Sequence, residues 1–395
     1  MNLTVIGPTH PYRGGISHYT SLLVRTLRTR HKVQFISYTR QYPAWLYPGN
    51  NDLDPSSELL VQEETDFRFD ALSPQAWREL PQKVIGQLPR LILLPWSTVY
   101  WSVFYFLFLR ALRGVSSTPV VFICHNVLEH EASIFKSRVS KSVLALGDWF
   151  VVHSRRDQAN LLKWIGDSRA DSIHVSPHPI YQHLQVRLPG KQSARLKLGV
   201  TADRVLLFFG FIREYKGLRY LLESLPAILQ RFPVHLLIAG EAWEDPKIYL
   251  RLIQKLNLEK AVTFNPHYIP NEEVETFFAA ADLVVVPYVS ATQSGIVQLA
   301  FGFRKPVVVG AVGGIPEVVE NGETGYLVPP RDPQAIAEAI IDFYNSGREQ
   351  LFIANIERQL PRFSWQHMLE TVEAIASKSC DAGLQLKGSA FRSHP

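Results

Sequence analysis

Two runs of short apolar segments, each alternating with segments of helical periodicity, constrain the fold of this chain more than any other feature. The first run extends from LTVIG at residues 3–7 to FVVHS at 150–154, and the second from RVLLFFGF at 204–211 to PVVVG at 306–310. Apolar strands that alternate with helices of this length form parallel sheets with helices on both faces. The sequence therefore predicts an α/β fold with two doubly wound, Rossmann-like domains.

The domains are predicted to comprise residues 1–185 and 186–359, because the two runs meet near residues 175–190. The stretch from Arg40 to about Pro81 reads as a long irregular loop, and residues 379–395 read as a disordered tail. Residues 91–113 are nearly apolar throughout. They favour a buried strand, a turn and an aromatic helix, while a helix touching lipid and a membrane span remain alternatives.

Composition narrows the class of protein. Two cysteines, Cys124 and Cys380, make no disulfide framework, and the first residues lack a signal-peptide pattern, so a cytoplasmic location is expected. Residues 1–180 hold 19 Lys and Arg against 14 Asp and Glu, whereas the remainder holds 22 of each. A basic front half suits an anionic membrane surface or a phosphate-bearing partner, or is simply a basic surface. No aromatic and basic motif indicates nucleic acid.

The first candidate binding element is GPTHPYRGGISHY at residues 7–19, which follows the first strand and opens a helix. Gly14 and Gly15 permit backbone conformations closed to other residues and a close approach by a ligand. The helix N-terminus that follows stabilises negative charge. The alternative is a tight turn without a ligand, since the spacing differs from a dinucleotide fingerprint.

A second candidate element follows the strand at 204–211. Arg213 and Lys216 lie three residues apart between Gly210 and Gly217, on a short loop. Ligands of open parallel sheets bind beyond the carboxyl ends of the strands, and two cations there suit a diphosphate. The alternative is that both are ordinary exposed loop charges.

The third candidate element is PYVSATQSGIVQLAFG at residues 287–302, which carries neither an acid nor a base. A helix beginning near Ser294 and Gly295 would direct free backbone N–H groups toward an anion. Thr292 and Gln293 add side-chain donors. Ordinary helix capping by Ser294 is the alternative.

His125 directly follows the predicted strand at 120–124 and is a candidate catalytic residue at a strand end, although lone histidines are often structural. His130 and Glu131 lack the spacing of a metal motif, so no metal site is predicted. Asp52 and Asp54 are a possible cation-binding pair, but a turn is the favoured interpretation.

Taken in order, these motifs resemble the retaining glycosyltransferases of the GT-B fold, in the large family four that uses nucleotide-sugar donors. The resemblance covers roughly residues 1–378. It is carried by GGISHY at 14–19, Gly210 with Lys216 and Gly217, AADLVVVPY at 280–288, GGIPEVVENGETGYLVPP at 313–330 and FSW at 363–365.

The resemblance implies two domains facing a cleft, with a C-terminal helix at 360–378 that packs back on the first domain. It implies that Gly15 lies near the donor phosphates, that His125 contacts the donor sugar and that Lys216 binds the diphosphate. The backbone of Ser294, Gly295 and Ile296 would hold the distal phosphate.

Two departures from the family pattern stand out. The usual arginine five residues before the lysine is Phe211 here, and Arg213 is the substitute that we expect. The positions at which the family usually has two glutamates are occupied here by Ser290 and Gln298. Gln298 can still bond ribose hydroxyls, whereas Ser290 is a poor equivalent of the residue that contacts the donor sugar. The departure at Ser290 therefore bears on which donor is used more than on activity.

The expected activity is transfer of a sugar from a UDP- or GDP-sugar to a glycan, lipid-linked or small-molecule acceptor in cell-envelope polysaccharide synthesis. No metal or other cofactor is required for this reaction, and the enzyme would be cytoplasmic or peripheral on the inner face of the membrane. Arg40, Tyr42 and Trp45 are candidate acceptor residues. An inactive GT-B binding subunit and a sugar-nucleotide epimerase are the alternatives.

Overall fold

The computed structural model describes residues 1–40, 52–56, 64–70, 73–127, 134–185 and 189–390 of the 395-residue chain. The chain divides into two compact units. The N-terminal unit comprises Met1–Ala44, Leu60–Pro177 and Ser364–Pro395, and the C-terminal unit comprises Trp45–Leu59 and His178–Phe363. The chain thus passes between units after Pro177, whereas the predicted division lies after residue 185.

The N-terminal unit contains a seven-stranded sheet. Its strands are β1 (Asn2–Ile6), β2 (Lys32–Arg40), β3 (Thr65–Asp70), β4 (Leu91–Trp96), β5 (Val120–Cys124), β6 (Trp149–Val152) and β7 (Ile173–Val175). The strand order is β3-β2-β1-β4-β5-β6-β7, and the paired strands are parallel. The order reverses direction between β1 and β4, which makes that point the topological switch of this sheet.

Helices cover both faces of this sheet. They are α1 (Gly15–Leu27), α2 (Pro74–Ile85), α3 (Ser102–Arg113), α4 (Ile134–Leu144), α5 (Arg155–Ile165) and the C-terminal helix (Trp365–Ala390). Successive residues of a strand point to opposite faces. Leu91 and Leu93 accordingly belong to one core cluster, while Ile92 and Leu94 belong to the other. The C-terminal helix packs on α1 and contributes Met368 to the first of these clusters.

The C-terminal unit contains a six-stranded parallel sheet. Its strands are β8 (Val205–Phe209), β9 (His235–Ala239), β10 (Val262–Asn265), β11 (Leu283–Val286), β12 (Val307–Gly310) and β13 (Gly325–Val328). The strand order is β10-β9-β8-β11-β12-β13, with the switch between β8 and β11. Its helices are α6 (Lys191–Lys197), α7 (Leu218–Leu229), α8 (Lys247–Lys255), α9 (Asn271–Ala280), α10 (Gly295–Gly302), α11 (Pro333–Ser346) and α12 (Glu349–Gln359).

The apolar stretch 91–113 folds as the favoured interpretation predicted, into β4, a 3₁₀ turn at Val99–Trp101 and α3. Phe104 and Phe108 on α3 are buried in the core of the N-terminal unit. Among the described residues, no helix combines the length and the apolarity that crossing a bilayer requires.

Several sequence expectations were wrong in detail. The stretch 40–81 contains β3 and most of α2, because β3 is an edge strand whose polar sequence TDFRFD carries no apolar run. The segment after Gly314 forms a 3₁₀ turn, Ile315–Glu317, and the turn beyond it leads into β13, which is parallel to β12. The C-terminal helix continues to Ala390, where a disordered tail was expected from residue 379.

Candidate functional site

The loop after β8 is shaped by two glycines with positive φ. Gly210 (φ 93°) ends the strand, and Gly217 (φ 76°) ends a 3₁₀ turn at Glu214–Lys216. A Cβ at Gly217 would lie 2.1 Å from the carbonyl oxygen of Pro287, so only glycine lets this loop contact the loop after β11. The loops after β8 and β11 therefore meet at the switch point of the C-terminal sheet.

Lys216 is buried by that contact, with only 6% of its surface exposed. Its ammonium lies beside Gly210 and the first turn of α10, since a Cβ at Gly210 would be 2.9 Å from Lys216 Nζ and 3.0 Å from Ile296 Cδ1. Burial, together with the charge of Arg213, lowers the pKa of Lys216 to about 7. In the part of the chain that the structure describes, no carboxylate forms an ion pair with this lysine. A bound anion would compensate its buried charge.

Arg213 lies between two aromatic rings. Its guanidinium carbon is 5.1 Å from the ring centre of Tyr215 and 5.4 Å from that of Trp243. Phe211, which stands where the family has an arginine, packs on the same Trp243 with ring centres 4.4 Å apart. The sequence analysis proposed Arg213 for this site but did not single out Trp243, which lies on a different loop.

The loop after β11 ends at a capped helix, as the sequence predicted. Ser294 is the N-cap of α10, and its Oγ accepts a hydrogen bond from the Val297 N–H at 3.1 Å. A second hydroxyl, that of Tyr288, hydrogen-bonds the same Oγ at 2.8 Å. The cap uses only the third N–H of the helix, and helix geometry leaves those of Gly295 and Ile296 without intrahelical acceptors. The capping and anion-binding interpretations of this segment are therefore compatible.

The two loops are also joined by direct contacts. The Val289 N–H donates to the carbonyl oxygen of Tyr215 at 2.7 Å, and the rings of Tyr215 and Tyr288 stack with centres 6.4 Å apart. These two tyrosines connect the loop of Lys216 to the cap of α10. Neither was a sequence candidate, because nothing in the local pattern of either loop indicates that they pair.

The middle of the loop after β11 rests on the glycine pair that follows β12. The Gly314 N–H donates to the carbonyl oxygen of Thr292 at 2.8 Å. A Cβ at Gly313 (φ 58°) would lie 1.9 Å from the Ala291 carbonyl oxygen, so the close approach requires glycine. Ser290, Thr292 and Gln293 are half-buried in this loop. The loops that follow the neighbouring strands β8, β11 and β12 thus pack together.

Gln298 lies on the second turn of α10 and is almost fully buried, with 1% of its surface exposed. Its side-chain Oε1 has no hydrogen-bond donor among the residues that the structure describes. A buried acceptor without a donor costs about 1–3 kcal/mol. A ligand hydroxyl would satisfy it.

In the N-terminal unit, His125 follows β5 and is buried, with 6% exposed. Its backbone N–H donates to the carbonyl oxygen of Trp96 at 2.8 Å. Its ring meets Tyr19 edge to face with centres 4.4 Å apart, and the ring of His153 lies 5.1 Å away. Burial lowers the pKa of His153 to about 4. Tyr19 and His153 come from α1 and the end of β6, and the sequence analysis missed both.

Gly14 and Gly15 occupy the N-terminus of α1. Gly14 is the N-cap with φ 109° and ψ 163°, and no side chain caps the helix. A Cβ at either glycine would meet no other atom within 4 Å, so these residues border open space. Arg13 beside them is buried and was not a sequence candidate.

The remaining candidates lie elsewhere or outside the described residues. Arg40, at the end of β2, is exposed and pairs with Asp70 of β3 at 2.7 Å. Tyr42 and Trp45 lie outside the described residues, as do His130 and Glu131. Asp54 accepts a hydrogen bond from Tyr268 at 2.9 Å. No group of three potential metal-binding side chains occurs within the described parts of the chain.

Comparison with known proteins assigns the C-terminal unit. Residues 203–346, which contain Lys216 and α10, match the family model of glycosyl transferases group 1. These residues are therefore similar to that family. A D-inositol 3-phosphate glycosyltransferase from Corynebacterium urealyticum is 32% identical over 188 residues, which are 45% of this chain and 43% of the relative. One from Corynebacterium diphtheriae is 26% identical over 288 residues, 67% of this chain and 66% of the relative.

The similarity in fold to a solved structure extends over both units. The structure of HepE from Anabaena in complex with UDP-glucose superposes with a TM-score of 0.73 at 20% identity, covering 96% of this chain and 99% of HepE. Together with the two parallel sheets, this likeness confirms the GT-B fold. The chain spans 43% to 66% of the length of the two curated relatives.

Proposed function

We propose that this chain transfers a sugar from a nucleoside diphosphate sugar to an acceptor hydroxyl, with retention of anomeric configuration. The observation that carries the proposal is the buried Lys216 ammonium, which faces the first turn of α10 and has no carboxylate partner among the described residues. A cation in this environment is stable when an anion binds to it. The switch point of a parallel sheet is where such a ligand is expected.

The proposed chemistry is stabilisation of the leaving group. As the bond from the sugar to the diphosphate breaks, negative charge develops on the diphosphate. Lys216, Arg213 and the N–H groups of Gly295 and Ile296 hold that charge in a site where water is largely excluded. The leaving phosphate accepts the proton of the acceptor hydroxyl on the same face of the sugar, which gives retention. With these donors no divalent metal is required.

UDP-glucose is the donor that we propose to test first. HepE, whose fold this chain shares, binds UDP-glucose. The unsatisfied Oε1 of Gln298 accepts a hydrogen bond from a ribose hydroxyl. We propose that Ser290, Thr292 and Gln293 contact the donor, together with Gly210, which lies against Lys216.

We assign acceptor binding to the N-terminal unit. As the family resemblance implies, we propose His125, Gly14 and Gly15 as the residues of this unit that contact the donor. The net positive charge of residues 1–180 suits an anionic acceptor or an anionic membrane surface. Arg40 remains a candidate for acceptor binding. The relatives named D-inositol 3-phosphate glycosyltransferases support an acceptor that carries phosphate.

The test is to compare two buried lysines of the same unit. Lys305 is a matched control, because burial also lowers its pKa, to about 8, but its Nζ donates to the Ala281 carbonyl oxygen at 2.7 Å. Lys216→Met is expected to weaken UDP binding and to lower turnover of UDP-glucose by on the order of 100-fold each. Lys305→Met is expected to leave both within about twofold. Calorimetry and product analysis against a panel of phosphate-bearing acceptors measure these effects.

Three outcomes discriminate between the proposal and its rivals. Near-normal transfer by Lys216→Met would refute the proposal. Conversion of UDP-glucose without an acceptor would indicate an epimerase or hydrolase. UDP binding without turnover on any acceptor would indicate a binding subunit.

A further inference from the structure

Two aromatic rings pack against the guanidinium of Arg213, although binding an anion would need only its positive charge. Its guanidinium lies between the rings of Tyr215 and Trp243, with centroid distances of 5.1 and 5.4 Å. A cation over an aromatic face is attracted to the ring, and the attraction increases as the cation is desolvated. No acid forms an ion pair with Arg213 in the described parts of the chain. The two rings therefore fix the direction of a cation whose charge is left for a ligand.

The backbone explains why Arg213 lies on the same side as Phe211. Arg213 has extended geometry, with φ −142° and ψ 149°. Residues two apart in extended chain point to the same side. Ile212 between them pairs with Ala242 in a parallel bridge, in which Ile212 N–H donates to Glu241 O at 2.8 Å and Trp243 N–H to Ile212 O at 3.1 Å. Both side chains consequently meet Trp243.

The rings of Tyr215 and Trp243 are each held in place by a further contact. The indole N–H of Trp243 donates to Oε2 of Glu241 at 3.2 Å, and Glu241 is buried. On the other side, the ring of Tyr215 stacks on Tyr288, whose hydroxyl bonds Ser294 at the cap of α10. Tyr215 and Trp243 thus connect the ends of β8 and β9 to α10, the helix whose first N–H groups are the proposed anion donors.

We propose that Trp243, held by Glu241, is a positioning residue that directs the Arg213 guanidinium onto the diphosphate of the donor. The inference rests on the proposed function, because it assigns Trp243 a role through Arg213. Trp243 itself contributes no charge and no hydrogen bond to the phosphates. Its effect on diphosphate binding disappears when Arg213 is removed.

A double-mutant cycle with UDP as the ligand tests this dependence. Arg213→Met is expected to weaken UDP binding roughly thirtyfold, as for a lost charge-assisted hydrogen bond. Trp243→Leu is expected to weaken it roughly tenfold. The double variant is expected to bind no more weakly than Arg213→Met alone, because the second change then removes nothing further. Calorimetry gives the affinities, and thermal unfolding of each variant shows that it is folded.

Conservative and matched variants separate positioning from a structural role. Trp243→Phe keeps an aromatic face and is expected to stay within about threefold of wild type. Arg204 provides the control, because its guanidinium lies 4.7 Å from the ring centre of Phe232 and 5.6 Å from that of Tyr344. Phe232→Leu is expected to lower stability without changing UDP affinity. If Trp243→Leu fails to fold, Trp243→Met completes the same cycle.

The outcomes distinguish the inference from the function on which it rests. Additive losses in the cycle would mean that Trp243 acts on the ligand directly, and they would overturn the inference alone. A tenfold loss in Trp243→Phe, equal to that in Trp243→Leu, would overturn it as well. No UDP binding by the wild-type protein would overturn the proposed function and this inference with it.

Discussion

The two ends of the C-terminal sheet differ in whether their buried charges have partners of opposite charge. At the amino end, Asp282 accepts two hydrogen bonds from Arg195, at 2.9 and 3.0 Å, and one from the Val205 N–H at 2.7 Å, and it pairs with Lys191. At the carboxyl end, Lys216 is buried next to another cation, and neither forms an ion pair with a carboxylate among the described residues. At the amino end the buried charges neutralise one another. At the carboxyl end, in our proposal, the buried cations are neutralised only by a bound anion.

Burial alone does not separate the two ends. Burial lowers the pKa of both Lys305, at the amino end, and Lys216, at the carboxyl end. The difference lies in the neighbouring charges. Burial, Lys191 and Arg195 lower the pKa of Lys305, and Asp282 and Glu349 partly offset this lowering. Burial and Arg213 lower the pKa of Lys216, and no carboxylate among the described residues offsets them. A missing counter-ion, rather than a low pKa, is therefore the ground on which we propose the ligand site in this unit.

The largest expected effect is on the amino end. Asp282→Ala leaves Arg195 and Lys191 without their common partner and the Val205 N–H without an acceptor. Breaking a buried pair in this way costs about 3–5 kcal/mol of the free energy of unfolding. Urea denaturation measures this loss, and calorimetry should find UDP affinity within about twofold of wild type in the protein that remains folded. A large change in UDP affinity would show that the two ends are not independent.

At the carboxyl end, Lys216→Met is expected to stabilise the ligand-free protein, by on the order of 2 kcal/mol at pH 7. The folded pKa of Lys216, about 7, is below that of an unfolded lysine, 10.5. The unfolded chain therefore binds more protons between those values, so wild-type stability rises with pH across that window. The variant should lack this rise in denaturation experiments from pH 7 to 10. A variant less stable than wild type at pH 7 would contradict the account.

Gln298→Leu is expected to weaken UDP binding about tenfold without loss of stability, because the unpaired Oε1 is removed along with its ligand contact. Gln298→Glu keeps an acceptor at the same position and is the control. Calorimetry with UDP and 2′-deoxy-UDP measures the effect. If Gln298 bonds the ribose, the leucine variant discriminates less between the two ligands than wild type does, and an unchanged ratio would argue against that contact.

The smallest expected effect is that of metal removal. In the proposed site, two cationic side chains and the N-terminus of α10 supply the donors for the diphosphate. EDTA should therefore change UDP affinity by less than about twofold at fixed ionic strength. A large loss that is restored by Mg²⁺ or Mn²⁺ would contradict this view of the carboxyl end.

Features that depend on neighbouring residues in the sequence were predictable. The apolar runs predicted the interior strands of both sheets, since a parallel strand buried on both faces has a continuous apolar sequence. Ser294 before Gly295 predicted the capped start of α10. Lys216 was placed correctly at a strand end, because the strand and the two flanking glycines are visible in the sequence.

Features that depend on distant segments were not predictable. The stacking of Tyr215 on Tyr288 and the position of Trp243 against Arg213 arise from loops that meet only in the folded sheet. The same holds for Tyr19 and His153 around His125. The strand β3 was missed because its edge position allows a polar sequence.

The most direct test of the account is proton uptake when UDP binds. Calorimetric titrations at pH 8, in two buffers of different ionisation enthalpy, give the number of protons taken up. The account predicts nearly one proton per UDP for the wild-type protein, because the anion returns the pKa of Lys216 from about 7 to well above 8. It predicts nearly none for Lys216→Met. No uptake by the wild-type protein, or equal uptake by both proteins, would contradict the claim that Lys216 is the cation that the donor diphosphate completes.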